Sequence, residues 1–307
     1  MKRFKNILAV YNDRVGADDV LSHATMLARS NDAALTVIDA RHESAATQAD
    51  LAERQKRLDR ILTSIRSEGV SDAAAVVVAG MPFIEIIRQV LKAGHDLVIA
   101  SAEPSATFMS YFFGSTATHL MRKCPCPVWI VNPEQRHSYK NVLACVNPST
   151  GGENDLDQMI VDLALSMAER NGINPHIVHA WDVEGPDHDR IRSEIPDKVR
   201  SQILEKHQTE HRTRVERLMA NAVNGVGTWR LHLPRSPEPQ WAILDLIDEL
   251  DADLVVMGTV SRVGIPGFFI GNTAETVLTL VKCGVLTVKP SGFVSPVTLQ
   301  QGLDAAA

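Results

Sequence analysis

The sequence predicts an α/β fold of two tandem units, each a five-stranded parallel sheet flanked by helices. Three observations carry this expectation. Short runs rich in Val and Ile alternate with segments of helical period, the pattern of βαβ units. The pattern is written twice. Lys5-Asn-Ile-Leu-Ala-Val-Tyr-Asn12 is matched 135 residues later by Lys140-Asn-Val-Leu-Ala-Cys-Val-Asn147, and Asp96-Leu-Val-Ile is matched 157 residues later by Asp253-Leu-Val-Val. Gly114 and Gly271, and Cys126 and Cys283, keep the second spacing. Finally, the fourth apolar run of each copy leads through a glycine-bearing loop into a helix start.

Element by element, the first copy is expected to place strands near 5–11, 34–40, 74–79, 96–101 and 127–132, with helices near 17–30, 45–68, 82–94 and 115–123. The second places strands near 140–146, 174–181, 227–232, 253–258 and 284–289, with helices near 153–171, 196–223, 239–251 and 272–282. The two spacings make the second copy 22 residues longer between its first and fourth strands. The polar stretch from Asp182 to Pro196 accounts for most of this and reads as a surface excursion. Residues 1–133 and 139–307 are the expected domains, with Glu134 to Ser138 as a short linker. The long helix after the insert is highly charged, with an apolar stripe of Val199, Ile203, Leu218 and Met219, and reads as a surface amphipathic helix.

A net charge of −6 gives no general attraction to nucleic acid or anionic membrane. No stretch is apolar and long enough to span a bilayer, and the N-terminus runs into a strand pattern rather than a signal peptide. Four cysteines do not make a disulfide framework, so a cytoplasmic setting is expected.

The stretch from Met257 and Gly258 through Ser261 to Gly271, Asn272 and Thr273 carries the chemistry. Glycines allow close approach of backbone to a ligand, and the first N–H groups of a helix face an anion. In the upstream twin, Ser101 and Pro104 stand where glycines would be, leaving Gly114 and Ser115. No Gly-x4-Gly-Lys-Ser/Thr occurs. Phosphate would be held by N–H groups, hydroxyls and Arg262, without a general base, so turnover is expected to be slow at most and no catalytic residue is assigned.

These residues resemble the universal stress protein family, whose loop reads Gly-x2-Gly-x9-Gly-Ser/Thr after the fourth strand. Gly258 and Gly271 match its outer glycines, and Cys126-Pro-Val-Trp-Ile-Val131 resembles its last strand. The duplication, Gly271-Asn-Thr-Ala-Glu275 and Lys123-Cys-Pro-Cys-Pro-Val-Trp129 look like the tandem, E-type branch. The resemblance implies two Rossmann-like units of the adenine nucleotide alpha hydrolase-like kind. It also implies a bound adenine nucleotide, ATP first, with Mg accompanying it. Asn147 stands where the family has Asp, near ribose or adenine, and backbone at Val146 and Ala180 would border the base. Ser261 replaces the middle glycine, and Asn272 replaces the hydroxyl residue after the third. Thr273 is expected to cap the helix. In the first copy Asn12 takes the equivalent position, with Asp13 beside it, and that site is expected to bind weakly or not at all. The last strands, Val128–Val131 and Val285–Val288, are expected to pair across the copies as an intramolecular pseudo-dimer, and a whole-chain homodimer is a further expectation.

Other candidates read more plainly. His207 and His211 share a helical face but lack further ligands, so no metal site is expected. Cys124 and Cys126 fit strand entry. Phe108 to Phe113 and Pro266 to Ile270 are apolar loops that suit interdomain packing or an apolar pocket. The leading functional reading is a stress-linked regulator or sensor that binds adenine nucleotide in its second copy and is read by a protein partner. The alternatives are a scaffold that binds no nucleotide, a binder of another small or apolar metabolite, and an ATP-using enzyme. The last lacks the Ser-Gly-Gly-x-Asp-Ser loop such enzymes need.

Overall fold

The computed structural model describes residues 4–13, 16–42, 44, 47–102, 113–133, 138–149, 155–222, 228–259 and 271–299. The first copy folds in order as β1 (Asn6–Val10), α1 (Ala17–Asn31), β2 (Ala34–Arg41), α2 (Gln48–Ser67), β3 (Ala73–Ala79), α3 (Pro82–Ala93), β4 (Leu97–Ser101), α4 (Gly114–Lys123) and β5 (Val128–Val131). The second continues as β6 (Val142–Cys145), α5 (Asp155–Asn171), β7 (His176–Val178), α6 (Pro186–Arg192), α7 (Asp197–Asn221), β8 (Arg230–His232), α8 (Pro239–Glu249), β9 (Leu254–Gly258), α9 (Asn272–Leu280) and β10 (Gly284–Val288). The helix boundaries follow local chemistry. The Thr47 side chain accepts from Asp50 N to start α2. Pro82 opens α3, and Gly94 closes it in the left-handed conformation.

Packing divides the chain into two compact units, Met1–Ser138 with Thr259–Ala307, and Tyr139–Gly258. In the first, the strand order is β3-β2-β1-β4-β5-β10. β1 to β5 are parallel, and every residue of β4 and β5 is buried. β10, the last strand of the second copy, runs antiparallel to β5, with Leu286 opposite Trp129. The buried Thr287 hydroxyl adds a bond to Val128 O at 3.2 Å. The expected pairing of the two last strands is therefore present. In the second unit the order is β9-β6-β7-β8, all parallel.

Both units share a device at the amino ends of their central strands. Asp96, ahead of β4, accepts from Lys5 N and Asn6 N at 2.6 and 3.0 Å. Asp253, ahead of β9, accepts from Lys140 N and Asn141 N at 2.6 and 2.8 Å. The repeated Lys-Asn and Asp are thus a carboxylate clip that holds neighbouring strands in register. At the opposite, carboxyl ends the strand order reverses between β1 and β4 and between β6 and β9.

The insert departs from the expected excursion because it contains α6. Gly185 in a positive-φ conformation (67°), Pro186 at the first helical position and acidic residues in the first turn are start signals that the polar composition masked. Ile191 and Ile195 then pack against Trp181, Val183 and Ile203, so the insert has an apolar floor of its own. Among the described residues, no helix is long and apolar enough to cross a membrane.

Candidate functional site

In the second unit, the carboxyl ends of β6, β7 and β9 bring five expected site residues together. Register places Cys145 of β6 opposite Met257 of β9. Val146 and Asn147 therefore emerge beside Met257 and Gly258. On the other side, Val146 N donates to Val178 O at 3.0 Å, which sets the chain before Ala180 one strand away. Val146 and Met257 are buried, Ala180 and Gly258 half-buried, and Asn147 exposed.

Two residues that sequence reading passed over shape this end. Asp157, buried in the first turn of α5, accepts from Asn147 N at 2.8 Å and so holds the turn after β6. His179, also buried, lies 3.2 Å from Val146 O through Nδ1 and 2.7 Å from His211 Nδ1 through Nε2. His211 in turn stacks on Trp181, with ring centroids 5.3 Å apart. Burial, then the positive charge of Arg214, pushes the His211 pKa down, so the ring is held neutral. An acidic residue early in a helix and a histidine at a strand end are common enough to carry no distinct signal in one sequence. The pairing of His211 with His179 is a tertiary fact. His207 instead meets Asp187 at 3.2 Å, so the two α7 histidines do not share a ligand. No group of three metal-ligating side chains occurs among the described residues.

Gly258 lies close to α5. A Cβ there would lie 2.8 Å from Leu156 Cδ2 on α5. A shallow cavity of about 290 Å³ lies further along, lined by Asp182, Val183, His188, Ile191, Arg235 and Pro237. Two of these residues, Arg235 and Asp182, form an ion pair at 2.9 Å.

In the first unit, Gly271 is the N-cap of α9, with φ −63° and ψ 144°. Asn272 and Thr273 form its first turn, exposed and half-buried respectively. Thr273 therefore does not cap the helix. The cap falls two residues earlier, on a glycine without a side chain to donate or accept. Ser261, Arg262 and the apolar stretches 108–112 and 266–270 lie outside the described residues; Phe113, which ends the first of them, is buried at the N-cap of α4.

At the first copy's equivalent end, Gly16 lies close against Ser101 and Pro133. Gly16, left-handed at φ 86°, opens α1. A Cβ on it would fall 2.1 Å from Ser101 Oγ at the end of β4 and 2.7 Å from Pro133 Cγ. Asp13, also left-handed, is ion-paired with Arg57 and lies 3.4 Å from the Tyr11 hydroxyl. Burial, followed by the Asp13 charge, raises the Tyr11 pKa. Asn12 follows β1 half-buried, Gly114 begins α4 at φ 59°, and Ser115 is exposed in its first turn.

Comparison with known proteins bears on this arrangement. The model of the universal stress protein family matches residues 3–132 and again 138–289. The chain belongs to the universal stress protein family. Universal stress protein E of Escherichia coli is 30% identical over 272 residues, covering 88% of this chain and 84% of that protein. Universal stress protein E homolog of Haemophilus influenzae is 26% identical over 310 residues, covering 94% and 98%. Among solved structures, a functionally unknown Pseudomonas aeruginosa protein matches with a TM-score of 0.75 at 22% identity, over 94% of each chain. A universal stress protein from Archaeoglobus fulgidus matches with 0.63 at 16% identity, over 94% and 99%. This universal stress protein therefore carries the family fold twice, as Rossmann-like α/β units.

Proposed function

We propose that this universal stress protein binds an adenine nucleotide, ATP with its Mg first, in the second copy and acts as a stress-linked regulator rather than a fast enzyme. The observation that supports this most is the switch point at β6 and β9, where Val146, Asn147, Met257 and Gly258 converge with Ala180 alongside. Open α/β sheets take ligands at such points. Backbone at Val146 and Ala180 would border the base, and Asn147 the ribose. Ser261, Gly271, Asn272 and Thr273 enter this reading on their sequence pattern, as phosphate donors. The first copy is proposed to bind weakly or not at all, because Gly16 packs onto Ser101 and Asp13 is held by Arg57. The proposed setting is cytoplasmic, with a partner protein reading the nucleotide-bound surface and a homodimer as the assembly.

Calorimetric titration with ATP, ADP and AMP tests the reading. Binding to one site per chain is expected, with ATP turnover far below about 1 s⁻¹. Gly271→Val is the decisive variant. Gly271 occupies an ordinary extended conformation, so valine adds bulk without backbone strain. Affinity should drop by at least about tenfold, or 1.4 kcal/mol, with little change in melting temperature. Absence of both binding heat and thermal shift at millimolar nucleotide would sink the proposal. It would favour the second reading, an interaction scaffold without nucleotide. The close approach of Gly258 to Leu156 on α5 is a contact that persists in that alternative, without a ligand.

A further inference from the structure

Cys124 and Cys126 flank Pro125 in the turn from α4 to β5. Cys124 is buried and closes α4, its N–H bonded to Leu120 O at 2.9 Å. Cys126 is half-buried. Their sulfurs are 3.5 Å apart, sharing one hydrogen bond in which either thiol donates. Capping a helix and entering a strand need neither residue to be cysteine, and they do not need the two sulfurs to touch. The other two cysteines, Cys145 and Cys283, are both buried.

The surroundings are polar on one side. Lys289, buried just after β10, donates through Nζ to Met121 O and to Thr259 Oγ1. Burial pushes its pKa down to about 8, while negative charge on either cysteine would favour the ammonium. The shared hydrogen bond with Cys124, then burial, raises the Cys126 pKa, so its thiolate is scarce at neutral pH and exchange is favoured by mildly alkaline pH. A disulfide needs sulfurs about 2.05 Å apart. Closing the gap thus takes a shift on the order of 1.5 Å, shared between two side chains. A ring closed over a single residue is strained, which makes the bond easy to reduce again.

We propose that Cys124-Pro125-Cys126 is a reversible dithiol–disulfide site that exchanges with low-molecular-mass disulfides of the glutathione class. The Cys126 thiolate attacks one sulfur of the small disulfide, forming a mixed disulfide and expelling one small thiolate. The Cys124 thiolate then attacks the Cys126 sulfur, closing the Cys124–Cys126 bond and expelling the second. The two cysteine protons end on the two released thiols. The protein loses two electrons and the small disulfide gains them.

The test uses the reduced full-length chain, incubated with excess oxidised glutathione at mildly alkaline pH, quenched by alkylation and read by peptide mass spectrometry. Two of the four thiols should disappear, the peptide spanning Cys124 and Cys126 should lose two hydrogen masses, and dithiothreitol should restore both. Cys124→Ser should stop at a glutathione adduct on Cys126, and Cys126→Ser should form no disulfide in this turn. The wild-type result carries the inference even if a variant folds poorly. Four thiols persisting, an adduct on Cys126 that never closes, or oxidation confined to Cys145 and Cys283 would each overturn it.

Discussion

Gly16 and Gly94 separate two reasons for a glycine. Both are left-handed, at φ 86° and 66°. A Cβ on Gly94 would meet nothing within 4 Å, whereas one on Gly16 would strike Ser101 Oγ at 2.1 Å. Gly94→Ala should therefore cost only the conformational penalty, about 1 kcal/mol. Gly16→Ala should cost about 3 kcal/mol or more, because overpacking of the buried end of β4 adds to it. Urea denaturation of the two variants checks this, and equal losses would refute the close packing at Gly16. Sequence alone marks both residues as glycines near helix ends. Only the fold shows that one of them packs against the carboxyl end of β4.

At the level of elements, β10 completes the sheet beyond β5. β5 is wholly buried, and β10 covers the edge that its VWIV run would otherwise present. A chain ending at Lys282 should leave β5 as an apolar, unpaired edge, the kind of edge that templates aggregation. Size-exclusion chromatography is expected to show such a truncation in higher oligomers or aggregates while the full chain elutes as a defined species. The strand itself was legible as a run of Val, Leu and Thr, and its partner was expected from resemblance. Its antiparallel direction is a property of the pairing. α6 shows the reverse, since its Gly-Pro start and acidic first turn were present in the sequence but lay within a polar stretch that read as an excursion.

Across the whole molecule, acid sensitivity should come from buried and half-buried imidazoles. Burial lowers the pKa of His95, His119, His176, His211 and His232 below their ordinary 6.5. Below pH 6.5 the unfolded chain takes up protons that the folded rings refuse, so stability falls as pH drops and is unaffected by these groups above that value. Each ring contributes at most about 1.4 kcal/mol per pH unit, and less where solvent reaches it. Denaturation midpoints measured from pH 7.5 to 5 should fall with acid, and His211→Gln should flatten part of that slope. A pH-independent midpoint in the wild type would refute the assignment.

The sequence by itself determined the α/β class, the duplication and, α6 apart, the order of strands and helices in each copy. Periodicity and repeat spacing are local and survive in one dimension. Folding decided what depends on residues far apart in the chain. It placed Met257 against Cys145, His179 between Val146 and His211, β10 on β5 and Gly16 over Ser101. These outcomes follow from strand order and close packing, which make neighbours of residues that spacing alone leaves apart.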